Sequence, residues 1–407
     1  MKEDSKMFIK AEGPQLTPDQ ARDLDDAYFT SRPLEYYSAR IASLIAVAES
    51  GERNRSGDVG AAFLAALEID DEAKILDFDG SDRRLQVATD SLAVRQHAAE
   101  ALVRLYHSVA IGRVPGDTAA CMWVAISDGP VAVRELANQA AERLASDDGR
   151  QTFWTLVLPS EAGEKPAPEN DVALNVMGAW LQYAILLLQR DDVSVNVAGN
   201  KIKHGLAVRS RDDVRLVFTK QPPSSDGTMP LSAVSGPGAI DIFSSETLSY
   251  LVRPSRQNGR KQPLELTTLS LVPAMLLAET WMLAATHAAM FYIAATQHFA
   301  GRKASLPKYP SLPLGPTPQQ LLGDSVIGMR FPVTTPPNGG PVDRFAGLAS
   351  QLGFASLEID FENKTSVELV NDTHTIESEK HTASPDEGKL SVSDDVPIAE
   401  PTKHSES

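Results

Sequence analysis

The feature that most constrains this chain is a change of period. As far as about residue 204 the apolar side chains recur every three or four positions, and beyond it they alternate. Leu85, Ala88, Leu92, Ala99, Val103, Tyr106 and Ala110 lie on one side of a helical projection and predict a long amphipathic helix over 82–112. Pro33 suits a first helical turn, and Leu34, Tyr37, Ile41, Leu44, Ile45 and Ala48 continue it to a stop at Ser50-Gly51. Further helices are expected over 58–69, 130–145 and 172–189, with a short one ending at His204-Gly205. Between them Phe153-Trp154-Thr155-Leu156-Val157-Leu158 reads as a strand.

After Gly205 the pairs Leu206/Val208, Leu216/Phe218, Ile240/Ile242, Leu248/Tyr250 and Leu264/Leu266 keep period two, with turn residues between them. They predict antiparallel strands over about 206–271, followed by a helix over 273–300. The fold class expected is therefore mainly α: a helical bundle with a small inserted antiparallel β-sheet (α+β) and a disordered C-terminal tail. The domain reading is a loosely ordered arm over 1–30, a helical region over 31–150, and a helical core with inserted strands over 151–304. A Pro/Gly-rich loop with a β-hairpin at Leu357–Phe361 and Val367–Leu369 is expected over 305–372, and an acidic tail over 373–407.

With 42% hydrophobic residues the chain can bury a large core. Its one cysteine, Cys121, excludes an intrachain disulfide or a thiolate-rich zinc site. Charged residues occupy the N-terminal segment where an export signal would be apolar, so a cytoplasmic location is expected. Glu279 and His287 interrupt the apolar stretch 273–295, which reads as a buried bundle helix and not as a membrane span.

The formal net charge of −16 is uneven. Residues 360–407 hold twelve Asp/Glu against four Lys, whereas 201–261 hold ten Lys/Arg against five Asp/Glu. In the basic window, Arg209, Arg211 and Arg215 fall on the first expected hairpin, and Arg253, Arg256, Arg260 and Lys261 surround a later loop. Such a patch attracts a phosphate backbone, or equally the chain's own acidic tail.

The residues with the clearest chemistry are Gly199-Asn200-Lys201-Ile202-Lys203-His204-Gly205. An imidazole beside cations moves protons near neutral pH while the cations hold phosphate charge. A structural account serves the same residues: Gly205 as a left-handed helix stop, with Lys201, Lys203 and His204 on the negative end of the helix dipole. Asn200, His204 and Gly205 resemble the later positions of the R-N-x-x-x-H motif of the HEPN superfamily, with Gly199 where that motif has Arg. The resemblance implies a helical bundle acting as a metal-independent ribonuclease or as a non-catalytic nucleic-acid-associated module. It also implies His204 as acid or base, with Asn200 orienting it.

A second candidate is the stripe His97, Glu100, Arg104 and His107, whose spacing of three, four and three places all four on one face of the long helix. This spacing matches no metal-ligand set and Arg104 would repel a cation, so no metal is expected. Neither G-x-G-x-x-G, Walker loop, G-x-S-x-G nor H-E-x-x-H occurs, and no cofactor is expected. The sequence thus points to a non-catalytic binding or interaction module whose basic face contacts nucleic acid or another anionic partner, with a protein partner or self-association also open. The alternative is a HEPN-like endoribonuclease using His204.

Overall fold

The computed structural model describes most of residues 13–375; residues 50–61, 68–78, 112–119, 160–167, 204–205, 220–223, 236–238 and 376–407 are among those outside it. The helix expected over 58–69 and the acidic tail fall largely in these gaps.

The chain is mainly helical. α1 (Pro18–Phe29) starts at a capping box in which the Thr17 hydroxyl accepts from the Gln20 N–H and the Gln20 side chain accepts from the Thr17 N–H. The expectation of a loose arm over 1–30 is therefore corrected for 18–29: this segment is a capped helix that buries Phe29 against Phe291. α2 (Pro33–Glu49) follows, and α3 (Gly80–Ala110) begins where the Asp79 carboxylate accepts from the Asp82 N–H. α4 (Met122–Ser127) has no cap of its own; Asp25 of α1 accepts from the N–H groups of Met122 and Trp123 at 3.0 Å.

α5 (Val133–Ala145) leads directly into α6 (Asp147–Val157). The strand expected at Phe153–Leu158 is thus almost entirely helix, because Ser146 caps the Gly149 N–H. Phe153, Leu156 and Val157 then fall on one buried face while Trp154 and Thr155 face out. α7 (Pro168–Gln189) and α8 (Val195–Lys203) complete the helices that precede the sheet. The long α10 (Pro273–His298) packs along α3, and their shared core includes the fully buried Leu92, Leu102, Tyr106, Trp180 and Phe291. Glu279 and His287 of α10 are turned into the bundle with Thr280 and Thr286, and each of these threonines donates to the carbonyl four residues back. α7 and α10 are both long and apolar enough to span a membrane, but most of each is packed inside the protein.

Strands β1 (Arg209–Arg211), β4 (Glu246–Val252) and β5 (Glu265–Leu271) precede α10. A separate ribbon pairs β2 (Leu216–Thr219) with β3 (Ala239–Phe243), beside the short α9 (Leu231–Ser235). After α10 come the five-residue α11 (Pro318–Leu322), then β6 (Val326–Pro332), β7 (Gly347–Ser350), β8 (Phe354–Ile359), β9 (Val367–Asn371) and β10 (His374–Thr375). The main sheet is antiparallel in the order β1-β4-β5-β6-β7-β8-β9-β10. The hairpin expected near the C-terminus is β8–β9, with Ile359 opposite Val367. The strands thus extend beyond the expected insertion, because β6 lies directly against β5 with Leu269 opposite Gly328. Gly328 permits this close packing: a Cβ there would meet the Thr268 carbonyl at 3.0 Å and Val193 at 3.2 Å.

The sheet grips the turn between α7 and α8. Tyr250 donates to the Ser194 carbonyl at 2.9 Å, Arg330 to that of Asp192 at 3.1 Å, and Arg344 to that of Asp191 at 2.8 Å. Arg344 is itself paired with the buried Glu265 at 3.0 Å. These bonds set where α8 leaves the sheet, and α8 forms one wall of the site.

Candidate functional site: a two-part groove

α8 lies across α3 at Gly199, which is buried with the Cγ of Gln96 3.2 Å from where its Cβ would be. The position corresponding to the Arg of the R-N-x-x-x-H pattern is therefore a close packing contact, where a Cβ would press on the Gln96 side chain. His204 and Gly205 lie outside the described residues. The left-handed residue after α8 is Leu206, with φ of 53°; its N–H bonds the Ile202 carbonyl, and that of Ala207 bonds the Lys201 carbonyl.

A groove of about 390 Å³ opens between α3, α8 and the facing ends of α5 and α7. Glu100 of α3, Asn200 and Lys203 of α8, and Ser255 all line it. Most of its charges are balanced. Arg134 pairs with Asp191 at 2.9 Å, Glu100 with Arg104 at 2.9 Å, and Arg190 with Asp192. Burial works to raise the Asp192 pKa, but the Arg190 guanidinium outweighs it and holds the carboxyl below its ordinary range. Among the described residues Lys203 has no acidic side chain at ion-pair distance.

At its floor is a directed chain of amides. The Asn196 Nδ2 donates to the Leu188 carbonyl at 2.5 Å, which turns its Oδ1 toward the Nε2 of Gln96. The Gln96 Oε1 is left buried and without a hydrogen-bond donor among the described groups.

Ser255 also lines a second cavity, of about 540 Å³, formed by the loop between β4 and β5 with Arg253, Arg256, Lys261, Gln262 and Pro337. The loop folds back through a turn in which Gln257 and Arg260 exchange backbone hydrogen bonds and Gly259 takes a φ of 77°. Arg260 is engaged by Asp343 at 3.4 Å. Arg253 reaches the Gln262 carbonyl at 3.2 Å, and Arg256 and Lys261 are exposed. Among the described residues none of these last three cations has an acidic partner. Beneath them Gln262 is fully buried.

The other candidate residues are dispersed. His97 packs against the rings of Tyr36 and Tyr37, and that packing together with the Lys203 ammonium holds its imidazole pKa below the usual value. Arg104 reaches from Glu100 toward the Pro130 carbonyl, and His107 bonds Gln139 of α5 at 2.7 Å. Of the stripe on α3, only Glu100 lines the groove. Arg211 is engaged by Asp213 at 2.6 Å, Arg209 sits on β1 opposite Ser249, and Arg215 lies just before β2; neither they nor Lys201 line either cavity. Sequence reasoning found the charges of Arg253, Arg256 and Lys261 but missed Gln96, Ser255 and Gln262, which carry no pattern of their own. No cluster of His, Cys, Asp and Glu suited to a metal ion occurs among the described residues. Compared with known proteins, the chain matches no family model, no curated protein and no solved structure.

Proposed function

We propose that this chain is a non-catalytic binding module that holds a single strand of nucleic acid along the two-part groove. The observation carrying this reading is the group Arg253, Arg256 and Lys261 around one cavity, without acidic partners among the described residues and joined through Ser255 to the cavity of Lys203. On a protein of net charge −16, cations left unneutralised at one concave place attract an anion locally while the rest of the surface repels it. A groove, and not a flat basic face, suits a flexible strand better than a duplex.

The test is a fluorescence titration of a labelled single-stranded oligonucleotide at several salt concentrations. Four phosphate contacts give a log–log salt slope of about −3, and Arg256→Ala/Lys261→Ala reduces its magnitude by about 1.4. Salt-insensitive binding, or a double variant that binds like the parent, removes the reading.

A second reading, a HEPN-like ribonuclease, is favoured by Asn200 and Lys203 lining the same groove. It predicts RNA cleavage in EDTA that is lost in His204→Ala; an intact substrate with the parent protein ends it.

A further inference from the structure

The two faces of the main sheet have different neighbours. Leu248, Tyr250 and Leu269 are buried on the face turned to the helices. On the opposite face Met329 and Leu348 stand in register, with Leu216 of the β2–β3 ribbon packed on them. That cover does not extend two residues further along β6. There Leu251, Leu266 and Phe331 are partners across β4, β5 and β6, so their side chains stand side by side, and all three are exposed. A continuous apolar row of this kind marks an interaction surface. It borders the cations of the β4–β5 loop: Leu251 precedes Arg253 by two residues, and Leu266 follows Lys261 by five. A partner that covers it must bring apolar side chains with negative charge beside them.

The strand register shows where such a partner comes from. Thr375 of β10 pairs with Val370, Val370 with Ser356, Ser356 with Gly347, and Gly347 with Arg330. Arg330 pairs with Thr267 and Thr267 with Tyr250, so one row crosses the sheet from β10 to β4. β10 runs in the same direction as β4 and β6, and the chain beyond Thr375 is therefore directed to the level of Leu251, Leu266 and Phe331. Thr375 stands four strand spacings from β6 and six from β4, about 19 and 29 Å along the sheet. Residues 376–407 carry eight Asp/Glu against three Lys. Four of their five Leu, Ile and Val residues fall in Leu390-Ser391-Val392-Ser393-Asp394-Asp395-Val396-Pro397-Ile398, which holds no Lys or Arg. The fifteen steps from Thr375 to Leu390 reach up to about 50 Å, more than the distance to be crossed.

We propose that residues 390–398 of this chain are the partner of the surface, with Leu390, Val392, Val396 and Ile398 on the row Leu251, Leu266 and Phe331, and Asp394 and Asp395 against Arg256 and Lys261. The tether holds the segment at an effective concentration on the order of millimolar, so weak contacts suffice. A polyanion that binds these cations must displace the two carboxylates. The segment is thus a built-in competitor of the strand proposed above; the docking itself does not depend on that reading.

Zero-length carbodiimide coupling joins an amine to a carboxylate only in direct contact, and it is applied to an equal mixture of unlabelled and isotope-labelled full chain. The expected product is a cross-link from Lys261 to Asp394 or Asp395 within single chains. Its yield is expected to fall about fivefold in Leu251→Ser/Phe331→Ser, whose changes lie at exposed positions. Absence of the cross-link overturns the inference, as does a yield unchanged in the double variant. Cross-links joining labelled to unlabelled chains overturn it too and assign the row to a second copy. Vesicles of phosphatidylserine and phosphatidylcholine are expected not to sediment the parent protein; co-sedimentation that is lost in the double variant overturns the inference in favour of a lipid surface. In the oligonucleotide titration, Asp394→Asn/Asp395→Asn is expected to bind about fivefold more tightly than the parent. Unchanged affinity overturns the competition. Absence of any oligonucleotide binding removes the strand reading alone, and the cross-link still decides the docking.

Discussion

Arg95 of α3 and Glu279 of α10 form an ion pair at 2.8 Å in the middle of the helical bundle, with side chains only 7% and 3% exposed. Tyr183 of α7 donates to the same carboxylate oxygen at 2.7 Å, so three helices share one buried acceptor. Burial opposes the guanidinium charge, and Glu279 more than offsets it, raising the Arg95 pKa. Removing one partner strands the other. Arg95→Ala is expected to cost about 3–5 kcal/mol in urea unfolding. The apolar replacement Arg95→Met/Tyr183→Phe/Glu279→Leu is expected to recover most of that loss, because no charge or hydroxyl is then left unpaired. A triple variant as unstable as Arg95→Ala would show that the network does more than satisfy itself.

His287 lies near this network on α10, 5% exposed and stacked on Phe291, with its Nδ1 unpartnered. Burial pushes its pKa down to about 4, with the nearby His97 imidazole acting in the same direction. The unfolded chain binds this proton at higher pH than the folded one, so stability is intact above about pH 6.5 and falls as pH drops toward 4, at up to about 1.4 kcal/mol per pH unit. His287→Leu is expected to flatten this part of the stability–pH curve. A slope identical to that of the parent would refute the assignment.

Leu206 holds a φ of 53° with its side chain 67% exposed. A β-carbon in that conformation costs about 1–2 kcal/mol and little apolar burial compensates it. Leu206→Gly is therefore expected to stabilise the protein by about 1 kcal/mol, read as a higher urea midpoint at unchanged slope. A lower midpoint would show that the leucine side chain is held by contacts worth more than the strain.

Gly199→Arg restores the complete R-N-x-x-x-H pattern. With Gln96 only 3.2 Å from where a Cβ would be, the change is expected to cost about 1–3 kcal/mol or to push α8 off α3. Circular dichroism and urea unfolding check the stability, and the RNA cleavage assay shows whether any activity appears. Unchanged stability would mean that α8 moves easily and that the contact is not a constraint.

The helices were legible where sequence signals agreed. The long apolar stripe of α3 predicted 82–112, and its observed start, Gly80, is two residues earlier because the Asp79 carboxylate caps the first turn. Phe153–Leu158 was misread because its residue types favour a strand, whereas the Ser146 cap and the three-plus-one spacing of Phe153, Leu156 and Val157 decide for a helix. The pairing of β5 with β6 was not legible either, since register across an intervening helix leaves no local trace. At the site the charges of Arg253, Arg256 and Lys261 could be read directly. The role of Ser255, and the forced orientation of Gln96, exist only once separate elements are assembled.

The late arrival of β6 also bears on how the chain leaves the ribosome. β5 ends at Leu271 and the neighbour that covers its edge begins at Val326, so α10 is synthesised between two strands that must lie side by side. Until β6 emerges, β5 presents a row of open backbone donors and acceptors that another nascent chain can pair with. Efficient production in a cell therefore depends on keeping that edge from strangers for the time it takes to add some fifty residues, roughly 3–10 seconds at typical rates of synthesis.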